Sequence, residues 1–149
     1  MSDEPKYTQP DLSLLGAAHV AAYRETNGER GYIWNGSPTL LLTSTGRKSG
    51  EPRTIAIIFT VWKNGWAIVA SKGGAPTHPQ WYLNVLDNPN VQVQVKGDIY
   101  AAVARTAPSP EREEIWAEAI KHWPNYDLYQ SRTERQIPVV VLEPTSKVT

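Results

Sequence analysis

Between Thr39 and Gly73 three strand-like runs, "TLLLTSTG", "RTIAIIFTVW" and "WAIVASKG", follow one another with only short turns between them. That succession restricts the fold more than any other feature. Parallel strands need a crossover of a dozen or more residues, usually a helix, whereas antiparallel strands join through tight turns. Alternate residues Ile55, Ile57, Phe59 and Val61 mark one face of the second run. Its other face, Ala56, Ile58, Thr60 and Trp62, is nearly as apolar, which predicts a strand covered on both sides. "KNG" at Lys63 to Gly65 signals a hairpin.

Three more strand-like runs lie downstream: "VQVQV", "IYAAVART" after a "KGD" turn, and "IPVVVLEP". Helical patterns frame them. "PDLSLLGAAHVAAYRETNG" offers Asp11 as N-cap and Asn27-Gly28 as a stop, with Leu12, Leu15, His19 and Ala22 on one face. Pro79 suits the first turn of a short helix that Asn88-Pro89 ends. In "SPEREEIWAEAIKHWP", Ser109 reads as the cap, Pro110 as the first residue, Trp116, Ile120 and Trp123 as the buried stripe, and Pro124 as the end. About six strands joined largely by hairpins, with peripheral helices, read as α+β around an antiparallel sheet that closes into a small barrel. At 149 residues the chain fits one domain, with a polar tail over 1–10, a helix over 11–28 and a core over 39–144.

Composition removes several function classes. No cysteine is present, so disulfides, thiolate metal sites and a Cys nucleophile are excluded. His19, His78 and His122 fall on three different elements without ligand spacing, and no metal site is expected. No apolar run is long enough to span a bilayer. The acidic, polar "MSDEPKYTQP" lacks the form of a secretory signal, so a cytoplasmic protein is expected. Net negative charge over residues 1–30 disfavours docking on anionic lipid. A formal net charge of zero argues against nucleic-acid binding.

The charge is nevertheless uneven. From Thr39 to Asn84, Arg47, Lys48, Arg53, Lys63 and Lys72 face Glu51 alone, a local surplus of four positive charges. A basic patch on a neutral chain suits a small anionic ligand. The patch centres on "TGRKSGEPR", residues 45–53. It is no Walker loop, since Arg47 precedes Lys48 where glycine is required and a strand follows, and no G-x-G-x-x-G exists. A glycine-bearing hairpin loop can still converge backbone N–H groups, with Lys48, Ser49 and Arg53 adding charge-assisted donors. The competing reading is a solvated basic hairpin. A second constellation is "ASKGGAPTHPQWYLN": Gly73-Gly74 leaves backbone uncovered for a flat ligand, and Trp81 and Asn84 share one helix face. Tyr126 and Tyr129 form a third, able to bind or protonate a substrate, or simply to fill space. Ser44, Ser49 and Ser71 lack a His-acid pair and a nucleophile elbow. Rings and anion donors without an evident acid, base or metal indicate chemistry delegated to a cofactor.

Taken together, "LLLTSTGRKSGEPR", "WAIVASKGGAPTHPQWYLNVLDNPNV" and "WPNYDLYQSRTERQIPVVVLEP" resemble the deazaflavin-dependent nitroreductase family, in order and with compatible spacing from about Leu40 to Pro144. The resemblance implies a split β-barrel and coenzyme F420, a deazaflavin with a phosphate and a polyglutamate tail. It implies that Lys48, Ser49 and Arg53, with Arg47 nearby, hold the phosphate and tail. Ser71, Lys72, Gly73, Gly74, Ala75 and Pro76 would border the ring, and Trp81 and Asn84 would support the cofactor. Tyr126, Tyr129 and Ser71 would serve catalysis. The implied reaction is hydride transfer from C5 of the reduced deazaflavin to a planar acceptor: a quinone, activated enone or lactone, or nitroaromatic. A non-catalytic F420 carrier and an FMN-dependent oxidoreductase of the same fold are the alternatives. The chain departs from many relatives at Ile55-Ala56, where they carry proline, and in its acidic N-terminus, which puts membrane quinones in question.

Overall fold

A computed structural model describes residues 14–148. Strands β1 (Ile33–Trp34), β2 (Ser37–Thr45), β3 (Pro52–Ile58), β4 (Thr60–Trp62), β5 (Gly65–Val69), β6 (Asn90–Val95), β7 (Asp98–Thr106) and β8 (Val139–Lys147) form one sheet. Its order is β1-β2-β6-β7-β8-β5-β4, and β3 pairs with β2 off that path. Every pairing among the described residues is antiparallel, those joined by short turns and those between strands distant in the chain alike.

The strand count exceeds expectation because the run over 53–62 is two strands. Thr39 faces Ile58 across β2 and β3, but two residues later Thr60 faces Ala67 across β4 and β5. The switch occurs at Phe59, whose N–H donates to Pro38 O at 3.1 Å and whose ring is buried against Tyr32. Strands at opposite ends of the sheet are thus joined through one residue, and the sheet curls back on itself. The switch also breaks the expected alternation: Ile55, Ile57 and Phe59 pack on the core, but Val61 is exposed.

Coverage on both sides belongs instead to β5 and β8. Ile68, Val140 and Leu142 pack with Leu40, Leu42 and Val93, and with Trp81, Tyr82 and Val85 of helix α2 (Gln80–Asp87). Their neighbours Ala67, Val69, Val139 and Val141 pack on the opposite side. There they meet Ile115 and Ala119 of α3 (Glu111–His122) and Tyr126 of α4 (Asn125–Ser131). By contrast, Ile55, Ala56 and Ile57 of β3 are only half-buried.

Helix α1 (Gly16–Thr26) lies over β2 and β3, with Val20 and Tyr23 against Leu41 and Ala56. Asp11 and Leu12 lie outside the described residues. The helix begins at Gly16 after an extended Leu15, with no side-chain cap, and Leu15 is exposed. Its buried face is His19, Val20, Ala22 and Tyr23 rather than a Leu15-His19 stripe. The stop is as expected: Asn27 and Gly28 take φ of 52° and 85°. Tyr23 pins the helix, donating to Thr39 O at 3.0 Å and accepting from the Lys96 N–H at 2.8 Å. Burial pushes its phenol up to about 12.

In α3 the N-cap position is Pro110, and the Ser109 hydroxyl donates to the Glu113 carboxylate at 2.7 Å instead of capping. The buried stripe is Ile115, Ala119 and Trp123, while Trp116 and Ile120 sit half-buried at its edge. Helix α4 has no counterpart in the sequence reading. Pro124 ends α3 and, at φ −56°, also sets the entry of the next helix. No described helix is long and apolar enough to cross a membrane.

Candidate functional site

Loop 46–51 closes between Thr45 and Pro52, which face each other across β2 and β3. The Gly46 N–H donates to Glu51 O and the Gly50 N–H to Gly46 O, each at 2.8 Å. A Cβ on Gly46 would stand 2.7 Å from Ser49 Oγ, and Gly50 holds φ 73°. Glycine at these two places lets the loop fold tightly against α2.

The result is a cleft of about 330 Å³ whose walls include Arg47, Lys48, Ser49, Arg53, Trp81 and Asn84. Three cations and no carboxylate line it. Arg47 is already tethered: its backbone N–H and Nη1 donate to Asn84 Oδ1 at 3.2 and 2.9 Å, and Nη2 donates to Gln80 Oε1 at 2.8 Å. Buried Asn84 is therefore the group that orients Arg47. Lys48 makes no hydrogen bond or ion pair among the described residues, and Arg53 makes only a 3.4 Å contact with Ser49 Oγ. Two cations uncommitted beside a tethered third suit a ligand carrying several negative charges.

A second cleft, about 250 Å³, opens between α1, the 71–72 turn and α4, with His19, Thr39, Ile57, Ser71, Trp81 and Tyr126 among its walls. A third hollow, about 430 Å³, runs between α1 and β3 past Val20, Ile55, Ile57 and Trp81. Trp81 borders all three, so they are compartments of one groove along β3. The half-burial of β3 follows from this, since Ile55 and Ile57 pack on the core and also wall the groove.

The turn at the second cleft is unusual in its backbone. Ser71 is right-handed helical, and Lys72, Gly73 and Gly74 follow at φ 47°, 64° and 83°. A right-handed residue followed by a left-handed one converges successive N–H groups. Gly74 is obligatory, since a Cβ there would meet the Tyr129 carbonyl oxygen at 2.5 Å.

Arg135 holds this turn from the far side. Its Nε donates to Ala75 O at 2.8 Å, Nη2 to Ser71 O at 2.7 Å, and Nη1 to Ala70 O at 3.3 Å and His78 Nδ1 at 3.1 Å. A guanidinium only donates, so His78 Nδ1 must be the unprotonated nitrogen. Burial, then the Arg135 charge, hold the His78 imidazole below its usual range.

Of the expected catalytic residues, Ser71 and Tyr126 meet in the second cleft. Tyr126 is buried, and its hydroxyl makes no hydrogen bond among the described residues. Burial, with Tyr129 adding to it, pushes the phenol above its usual range, so the hydroxyl stays protonated and able to donate. Tyr129 is placed elsewhere: its hydroxyl accepts from Trp123 Nε1 at 3.3 Å, and its backbone packs on Gly74. Lys72 lines the cleft and donates to Thr77 Oγ1 at 3.1 Å. Gly73 and Pro76 are exposed beside the turn, and Ala75 is half-buried with its carbonyl on Arg135.

The sequence reading gave no site role to His19, Thr39, Gln80 or Arg135. Nothing local marks them. Arg135 lies 57 to 65 residues from the groups it holds.

Residues 16–144 match the family model described as F420H(2)-dependent quinone reductase. Over 128 residues the chain is 41% identical to an F420H(2)-dependent quinone reductase of Mycobacterium tuberculosis (strain H37Rv), across 83% of this chain and 86% of the relative. The solved F420-H2 dependent reductase FDR-A superimposes with a TM-score of 0.67 at 42% identity, covering 71% of this chain and 94% of that one. HutZ, a heme storage protein of Vibrio cholerae, superimposes with a TM-score of 0.56 at 17% identity, over 72% of this chain and 82% of that one. That likeness concerns the fold alone.

Proposed function

The chain belongs to the F420H2-dependent quinone reductase family and shares its split-barrel fold, and on that premise we propose how its groove divides the work. The residues present fit reduced F420. The cleft lined by three cations and no carboxylate matches a phosphate and an acidic tail, and it adjoins, across Trp81, a compartment with planar and apolar walls. That adjacency is the observation that carries the proposal. Bound F420H2 supplies the hydride, from C5 of its deazaflavin ring.

The chain supplies the rest. Lys48 and Arg53 bind the anionic portion, Arg47 is held ready for it by Asn84, and Ser49 adds a hydroxyl donor. Ser71, Lys72, Gly73, Gly74, Ala75 and Pro76 present backbone to the ring, their conformation fixed by Arg135. Trp81 separates the two compartments and fixes lateral placement, where an error of about 1 Å can cost roughly a hundredfold in rate. Tyr126 and Ser71 face a planar electrophilic acceptor, a quinone in the first instance, and stabilise negative charge developing on its oxygen. The position of Tyr129 supports a different role from the one the resemblance implies: it braces Gly74 and Trp123.

The test is fluorescence titration with F420 and with FMN at matched salt, followed by oxidation of F420H2 with a quinone panel. F420 is expected to bind much more tightly than FMN, and Arg53→Ala to weaken F420 about tenfold or more with little change in turnover at saturation. Preference for FMN, or equal loss of binding and turnover in Arg53→Ala, would count against the clamp. F420 binding without turnover would make the chain a carrier.

A further inference from the structure

Reduction of a quinone by hydride leaves an anionic oxygen that must take up a proton, and the residues named so far donate hydrogen bonds without supplying one. Tyr126 holds its proton too firmly, for the reason given above. The Lys72 ammonium is exposed and directs one of its three N–H groups to Thr77. The remaining titratable side chain in the second cleft is His19.

His19 is only 5% exposed, yet it lines that cleft. Its Nε2 lies 2.7 Å from Gly31 O. A carbonyl only accepts, so Nε2 carries a hydrogen and Nδ1 is the nitrogen that gains or loses the second proton. Nδ1 makes no hydrogen bond among the described residues. It is not sealed away either, because the one buried side-chain polar atom without a partner among those residues is Ser44 Oγ.

The ring is anchored at Nε2 and flanked by an aromatic side chain. Gly31, at φ 103°, admits the close approach, since a Cβ there would lie 2.9 Å from His19 Cδ2. Thr39 Oγ1 donates to the same carbonyl at 2.6 Å and fixes it in turn. Trp34 lies nearly parallel to the imidazole, 22° between planes, with centroids 6.4 Å apart. An imidazole fixed at one nitrogen, with the other left without a partner at the wall of a cleft, has the form of an acid–base group. The other titratable side chains that line this cleft are Lys72 from the 71–74 turn and Tyr126 from α4, whereas β1, β2 and β3 contribute only Trp34, Thr39, Ala56, Ile57 and Ile58 to it.

We propose that His19, on the inner face of α1, is the catalytic proton donor to the acceptor oxygen, an assignment that rests on the quinone-reductase reading above. As the acceptor gains the hydride and its oxygen becomes anionic, the Nδ1–H bond of the imidazolium breaks with its electron pair left on Nδ1. The proton forms the new O–H bond. The quinone is reduced by two electrons at the expense of F420H2, and solvent returns a proton to Nδ1. Tyr126 and Ser71 hold the oxygen by hydrogen bonds while this occurs.

The experiment pairs kinetics with spectroscopy. In His19→Gln the side-chain amide can still donate to Gly31 O but cannot titrate. Its kcat with a benzoquinone should fall about a hundredfold, and the loss of kcat/KM at high pH expected of the unaltered protein should be absent. F420 affinity, read by fluorescence, should stay within about twofold. In the cofactor-free protein, nitrogen-15 NMR should show hydrogen on Nε2 in the neutral ring, and added hydroquinone should shift Nδ1. Unchanged kcat and pH profile in His19→Gln, or an Nδ1 resonance indifferent to hydroquinone, would overturn the assignment of His19 alone. Failure of the unaltered protein to oxidise F420H2 with any quinone would overturn the reductase reading and this proposal with it.

Discussion

Arg135 and Tyr126 bracket what single side chains do in this groove. Arg135 satisfies three backbone carbonyls and His78, and all lie in or beside the turn that borders the second cleft. Arg135→Met should lower unfolding free energy by about 1–3 kcal/mol, since one buried and three half-buried acceptors are left unpaired. F420 affinity should fall with it, whereas a merely structural arginine would leave the affinity of the folded fraction unchanged. Urea unfolding and fluorescence titration check both. Tyr126 is the opposite case, because its hydroxyl serves no partner among the described residues. Tyr126→Phe should therefore leave the melting temperature within about a degree while kcat with a quinone falls roughly tenfold to a hundredfold. That Arg47, Lys48, Ser49 and Arg53 line one cleft was legible in the sequence because they fall within seven residues, at a loop and the start of β3. Asn84 was legible by helix spacing, but its work on Arg47 was not, since the contact spans 37 residues.

At the scale of elements, α3 is fastened to the sheet by charge. Glu111, in its first turn, accepts from Arg105 Nη1 and Nη2 at 2.6 and 2.9 Å and from Trp62 Nε1 at 3.0 Å. Arg105 also reaches Glu143 at 2.6 Å. The Arg105 hydrogen bonds first, then Trp62, pull the Glu111 carboxyl down to about 2. A depressed carboxylate stabilises the fold above its unfolded value and loses that contribution as pH falls. Melting temperature should thus drop between about pH 4.5 and pH 2, and Glu111→Gln should flatten that fall while lowering stability at neutral pH. The elements themselves were unequally legible. Alternation revealed β6, and apolar runs bounded by turn signals revealed β2, β5, β7 and β8. The β3–β4 division was hidden because Phe59 preserves the apolar run while changing partners. Helix α4 was hidden because Pro124 is a stop for one helix and a start for the next.

For the whole molecule, closure depends on that same exchange of partners. Phe59 joins the two ends of the sheet and buries its ring in the main core. Phe59→Ala should cost about 3–5 kcal/mol and also loosen the groove, since Ile57 and Ile58 just before it line the second cleft. Calorimetry and F420 titration on the same variant check whether the two losses travel together. Helix α1 stands differently in this architecture. It contributes walls to the compartment with Tyr126 and to the hollow along β3, but none to the cation-lined cleft. On the proposed division of the groove, cofactor retention and acceptor choice fall to separate stretches of chain, and α1 carries walls of the acceptor's compartment together with His19. Substitutions at exposed Ala17, which lines the hollow along β3, would then redirect which molecule is reduced without disturbing the source of the electrons.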